Sequence, residues 1–267
     1  MELQKWDAED ISPYYRVKIA VVGATSVGKS TMLQLLKEDE IDRHLESTIG
    51  IDFVCKNFQL DEYPVKSARS YYYEMLEKSF LDKKLQTIKV NVYDTAGSAK
   101  FRQLVLSNYV KDMDIIFLCF AMNDRSSWDE VLKWKEEIDE KRLSEKDGYL
   151  PMYVLVGTKS DLSPYEISMT EIENRCKEFS SSNSEKEKEN KETKIKSFVI
   201  SSFHKNAATT IRRMFYVVLR EYHERNVLLR AAGGNLPSHL TVSFQEKQNP
   251  HAIPHTDIPT NKCCTIC

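Results

Sequence analysis

Eight residues near the amino terminus, Gly23-Ala24-Thr25-Ser26-Val27-Gly28-Lys29-Ser30, have the types and spacing to hold a chain of phosphates. Glycines at the first and sixth positions allow a tight loop whose successive N–H groups cradle anionic oxygens. A helix opening just after the second glycine adds the positive end of its dipole. Lys29 can reach β and γ phosphates, and the Ser30 hydroxyl can ligate Mg²⁺. Gly23, Ser26, Val27, Gly28, Lys29, Ser30 and Thr31 are therefore the candidate phosphate contacts. A second constellation, Asp94-Thr95-Ala96-Gly97, follows an apolar run. Asp94 would emerge at the carboxyl end of a strand as an outer-shell partner of Mg²⁺, and Gly97 can offer its N–H to a γ-phosphate. These two constellations ask for a nucleoside triphosphate and leave the base open.

The elements that must position them can be read from the flanking patterns. The run 16–22, RVKIAVV, is β-branched and apolar and ends at Gly23, which predicts a buried strand entering the loop. The helix continues through TMLQLLKEDE. Strands fit 51–60, 88–93, 115–121, 152–157 and 197–202, and helices fit 126–143 and 209–230. The fully apolar IIFLCFA at 115–121 suits a central parallel strand. Alternating strands and helices predict an α/β fold, a mostly parallel six-stranded sheet with helices on both faces. Three segments fall outside this plan: a charged, tyrosine-rich insert near 61–86, a polar low-complexity stretch at 180–194, and a tail from 231 to 267 without periodicity.

With 267 residues and 41% apolar side chains the chain can build one such domain with attachments. A formal net charge of −2 gives no basic excess, so a nucleic-acid partner is not expected. The sequence has no apolar run of transmembrane length, and MELQKWDAEDISPYY lacks the pattern of a signal peptide, so a cytosolic chain with reduced thiols is expected. Cys55, Cys119 and Cys176 are scattered, whereas Cys263, Cys264 and Cys267 crowd the last five residues.

On the phosphate loop and Asp94–Gly97, with Ser47-Thr48-Ile49-Gly50-Ile51-Asp52-Phe53 between them, the chain resembles the Ras superfamily of small GTPases and within it the Rab branch. The resemblance covers roughly residues 14–230 and implies a P-loop small G domain binding GTP or GDP with Mg²⁺. Residues 1–13 are then an amino-terminal extension. The resemblance implies that Thr48 binds Mg²⁺ and the γ-phosphate in the triphosphate state, so Ser30, Thr48 and Asp94 form the metal set. Thr158-Lys159-Ser160-Asp161 is similar to the base-reading motif of the family, with Lys159 over the base. Asp161 would accept from two donors that guanine carries and adenine lacks, which disfavours a P-loop ATPase or small-molecule kinase. Ser202 and the backbone N–H of Phe203 would complete the base site. The terminal cysteines resemble the paired, lipid-bearing cysteines of Rab proteins, with Cys263 and Cys264 (or Cys267) as acceptors. One lipid anchors marginally, so a second chain would be needed.

The departures from the family pattern are specific. Ser98 stands where the family places a water-orienting glutamine, so Lys29, Thr48, Gly97 and Ser98 form a catalytic set expected to hydrolyse GTP weakly. Ile41 stands where an aromatic residue usually covers the guanine edge, which with the altered Ser202–Phe203 region implies faster nucleotide exchange. Phe53 and Tyr93 open an aromatic surface for effectors whose third position falls on Asn108, next to Tyr109.

The resemblance implies a monomeric molecular switch on the cytoplasmic face of an intracellular membrane, with a cytosolic pool. Its partners would be an exchange factor, a GTPase-activating protein, effectors and a prenyl-binding chaperone, and its role would lie in vesicle traffic. The competing expectation is a membrane-tethered binding module that holds GTP persistently.

Overall fold

The computed structural model describes residues 15–38, 40–41, 48, 51–60, 86–97, 99–143, 150–181 and 195–231. The elements run β1 (Tyr15–Gly23), α1 (Lys29–Glu38), β2 (Ile51–Leu60), β3 (Gln86–Thr95), α2 (Ala99–Asn108), a 3₁₀ turn (Val110–Asp112), β4 (Ile115–Ala121), α3 (Arg125–Leu143), β5 (Met152–Thr158), α4 (Met169–Ser181), β6 (Lys196–Val199) and α5 (Ala207–Ala231). They form one six-stranded sheet in the order β2-β3-β1-β4-β5-β6. Only the β2–β3 pair is antiparallel, with Phe53 opposite Tyr93. The other pairs are parallel. This is the expected α/β architecture.

Every residue of β4 and β5 is buried, because helices cover both faces of the central strands. One face packs Met32, Leu33 and Leu36 of α1 and Ile211, Phe215 and Leu219 of α5 against Val21, Phe117 and Val154. The other packs Trp128, Trp134 and Ile138 of α3 and Ile172 and Phe179 of α4 against Val22, Phe120 and Leu155. Alternate residues of the same strands thus feed two separate cores. At the end of the sheet away from the phosphate loop, the buried Asp114 accepts hydrogen bonds from the Lys18 N–H at 2.7 Å and from the Tyr222 hydroxyl at 2.6 Å. That carboxylate joins β1, β4 and α5.

Two helices went unassigned in the sequence. Helix α2 begins two residues after Gly97. Helix α4 opens on Ser168, whose hydroxyl oxygen accepts from the Glu171 N–H at 3.2 Å while Glu171 accepts from the Ser168 N–H at 2.9 Å. This reciprocal pair satisfies two free donors at once. Ser180 and Ser181, expected at the start of a polar loop, instead finish α4, where the Ser180 hydroxyl donates to the Cys176 carbonyl at 2.7 Å. The strand expected at 197–202 is four residues long, since the chain turns after Ile200. The extension 1–13, the insert apart from Gln86, residues 182–194 and the tail after Ala231 lie outside the described residues. Among the described residues no helix is long and apolar enough to cross a membrane.

Candidate functional site

The phosphate loop is shaped by backbone angles that the sequence had to permit. Gly23 ends β1 with φ +147°, and a Cβ there would lie 2.2 Å from the Cys119 carbonyl oxygen of the neighbouring strand. Gly28 has φ +97° and Ser26 has φ +60°. A non-glycine residue in the left-handed region is uncommon and costs about 1 kcal/mol or more, so the loop holds some strain at Ser26. Val27 is buried beneath the loop, while Thr25 and Ser26 are exposed on it. Thr31 is half-buried in the first turn of α1.

Lys29 is buried and folds back over the loop. Its Nζ donates to the carbonyls of Gly23 at 3.0 Å and Ala24 at 2.7 Å. Burial lowers its pKa, and Coulombic interactions with Cys119 and Asp94 oppose that shift. Gly97 closes the same space from the end of β3. A Cβ on it would lie 2.5 Å from the Ala24 backbone and 2.6 Å from Lys29 Nζ, so only glycine fits between the two segments.

The three residues of the expected metal set meet. Ser30 Oγ lies 2.7 Å from Thr48 Oγ1, which donates to Asp94 Oδ2 at 3.3 Å. Burial raises the Asp94 pKa, while hydrogen bonds from Ser30 and Thr48 and the charge of Lys29 pull it back. Asp94 Oδ1 is buried without a protein partner. Among the described residues no cluster of three or more His, Cys, Asp or Glu side chains could hold a metal by itself. Two hydroxyls and one carboxylate suit Mg²⁺, a hard cation that takes few protein ligands and fills its octahedron with phosphate and water oxygens.

On the base side, Thr158 closes β5 fully buried. Its hydroxyl is shared between the Val27 carbonyl and the Phe120 carbonyl, the latter at 3.0 Å. It therefore ties the loop expected to read the base, Thr158 to Asp161, to the Gly23–Ser30 loop. Lys159 follows with φ +56°, and Leu162 N–H bonds the Lys159 carbonyl at 3.0 Å, so the loop turns outward and leaves Asp161 exposed. Residues after β6 join this loop through backbone bonds, Ile200 N–H to Gly157 O at 2.8 Å and Ser160 N–H to Ile200 O at 3.2 Å. Ser202 is half-buried and Phe203 is 67% exposed.

Several features were not legible. The Phe203 N–H, expected to serve the base, donates to Ser201 Oγ at 3.1 Å. A serine two residues before this amide was the available signal, because such hydroxyls bond backbone locally. Ile41 packs against the core shared by α1 and α5. The aromatic surface is Phe53, Tyr93 and Tyr109, with centroids 5.4 Å apart for the first pair and 6.3 Å for the second. The third ring is thus supplied by Tyr109, beside the expected Asn108, whose side chain lies outside the described residues. Ser98 also lies outside them.

The sequence pattern of the Ras family matches residues 18–193. Two similar relatives are the Ras-related protein Rab-7L1 of Homo sapiens and that of Pongo abelii. Each is 26% identical over 161 residues, covering 60% of this chain and 68% of the relative. Small GTPases of this kind bind guanine nucleotide, typically with Mg²⁺, generally hydrolyse GTP, and answer to exchange factors, activating proteins and effectors. The match spans the greater part of the chain, from β1 through α4, and on that ground the protein belongs to the Ras family; its likeness to the Ras-related Rab relatives makes it a Rab-like small GTPase.

Proposed function

We propose that this chain is a GTP-dependent switch whose GTP-bound state is long-lived, tethered to a membrane by lipid on its terminal cysteines. The observation that carries the switch reading is the meeting of Ser30, Thr48 and Asp94, whose oxygens lie within 2.7–3.3 Å of their neighbours. Thr48 comes from the segment between α1 and β2, so its seat beside the ion couples that segment to the triphosphate. In this reading Lys29 and the N–H groups of Gly28 to Thr31 hold the phosphates. Ser30 and Thr48 ligate Mg²⁺, with Asp94 behind them. Gly97 donates to the γ-phosphate, and Asp161 and Lys159 select guanine, with Thr158, Ser202 and Phe203 around the base. Mg²⁺ would neutralise charge developing between the β and γ phosphates, as in other P-loop enzymes.

The slow hydrolysis follows from Ser98. A short hydroxyl cannot span both an attacking water and the γ-phosphate. The anchor follows from Cys263 and Cys264, with Cys267 as the alternative, and places the domain on the cytoplasmic face of an internal membrane. By its resemblance to the Rab branch, the switch would act in vesicle traffic. The Phe53–Tyr93–Tyr109 surface would meet effectors.

The test is single-turnover hydrolysis by the full chain loaded with GTP, beside Ser98→Gln. A typical Ras-like site turns over on the order of 10⁻⁴ s⁻¹ unaided. We expect the unmodified chain to fall below that and the glutamine variant to recover it. Equal rates at the typical value would overturn the long-lived GTP state and leave an ordinary switch.

A further inference from the structure

Helix α2 begins two residues after Gly97, so it is the first rigid element to feel a change at the γ-phosphate. From its first half, Arg102 reaches across to α3. The guanidinium carbon lies 4.5 Å from the ring centroid of Trp134. Nη1 donates to Glu137 Oε1 at 3.2 Å, and Nη2 donates to Glu130. Glu130, Trp134 and Glu137 are spaced four and three residues apart on one face of α3, so they form a single seat. The Trp134 ring is fully buried, and the Arg102 side chain is only 12% exposed.

The seat is held strongly yet incompletely. Among the described residues, Arg102 Nε, Glu137 Oε2 and Trp134 Nε1 are buried and have no hydrogen-bond partner. Lys133 also contacts Glu130, at 2.9 Å, and offers that carboxylate a second cation. Unmade buried hydrogen bonds weaken the seat, so these groups leave it more readily than a fully bonded set would. Among the described side chains of α2, Gln103, Leu104 and Ser107 are exposed, while Val105 and Leu106 are buried.

We propose that Arg102 on Trp134 is a latch by which α2 reports the state of the phosphate site to α3. It is seated while Thr48 lies against Ser30 and Asp94, as in this structure, and unseated when that contact is lost. The latch makes nucleotide state readable on the outer face of α3, where Leu132, Lys133 and Glu136 are exposed, as well as on the loops around the phosphates. The proposal rests on the switch reading above.

The chain has three tryptophans, Trp6, Trp128 and Trp134, so fluorine spectra of full-length protein carrying 5-fluorotryptophan resolve the site directly. Single Trp→Phe variants assign the signals. With GDP and with a non-hydrolysable GTP analogue, each at saturation, we expect the Trp134 signal to differ between the two forms. In Arg102→Gln, and independently in Glu130→Gln/Glu137→Gln, the two positions should merge, with a cooperative thermal transition showing that each variant is still folded. Binding of a fluorescent guanine nucleotide is measured on the same samples. Nucleotide bound with Trp134 unmoved between forms, or moved equally in the variants, would overturn the latch alone. No nucleotide bound would overturn the switch reading and the latch with it.

Discussion

The phosphate side and the base side of the site are built in opposite ways. On the phosphate side Lys29 and Asp94 are buried, and their side chains bond the Gly23 and Ala24 carbonyls and the Thr48 hydroxyl. Asp161 and Phe203 are exposed, and their loops meet through two backbone bonds, Ile200 to Gly157 and Ser160 to Ile200. A phosphate chain is held by backbone N–H groups, and only glycines in fixed places let the backbone adopt that shape. A base is read by side chains presented from segments some forty residues apart. The first design leaves little freedom to vary without loss of fold, and the second can drift while the sheet stays intact.

The largest test of this contrast is Gly23→Ala. The new Cβ would sit 2.2 Å from the Cys119 carbonyl oxygen at a φ of +147°. Steric overpacking and a forbidden backbone angle together should cost about 3 kcal/mol or more. Ser202→Ala on the base side, half-exposed, should change stability by about 0.5 kcal/mol or less. Urea midpoints of the two variants measure the difference. A glycine variant that melts with the unmodified chain would end the argument that backbone shape fixes the phosphate side.

Thr158→Val probes the tie between the sides. Valine keeps the volume and removes the hydroxyl that serves the Val27 and Phe120 carbonyls. Losing a buried donor in this way should cost about 1–3 kcal/mol of stability. If the tie also steadies the phosphate loop, release of a fluorescent GDP should quicken by roughly tenfold, the rate equivalent of about 1.4 kcal/mol. Lower stability with unchanged release would show two independent sides.

What could be read in advance divides along the same line. The loop from Gly23 to Ser30 and the strands on either side were legible because their constraints are local: glycine spacing, an apolar run, a helix start. The central strands β4 and β5 declared themselves as unbroken apolar runs because both faces are covered. Helix α2 was missed because its consecutive apolar residues Leu104, Val105 and Leu106 blur the helical period, and Leu104 is exposed. Ser201 and Tyr109 were missed because their roles depend on a turn and on a ring packing across elements, which spacing alone does not encode. Helix α4 is different. Ser168 and Glu171 stand three apart ahead of the apolar positions Ile172, Cys176 and Phe179, a start signal present in the sequence and passed over.

That start signal gives the smallest test, at the periphery of the base side. Bonds from the Ser168 N–H, then from Arg125 and the Ser168 hydroxyl, hold the Glu171 carboxyl down at about 2. A carboxyl whose folded value is depressed adds stability that is fully present above its unfolded value, about 4.3, and fades as pH falls toward the folded value. Glu171→Gln should therefore lower the melting temperature slightly at pH 7, and the gap should close between about pH 4.5 and pH 2. Salt should narrow the part owed to Arg125, 2.5 Å from Glu171 on the open surface, and spare the part owed to the Ser168 amide. Nucleotide affinity should not move, since no phosphate-side residue touches this pair. A gap independent of pH would mean that the cap acts as a neutral hydrogen bond, and that charge does not help to hold the edge of the base side in place.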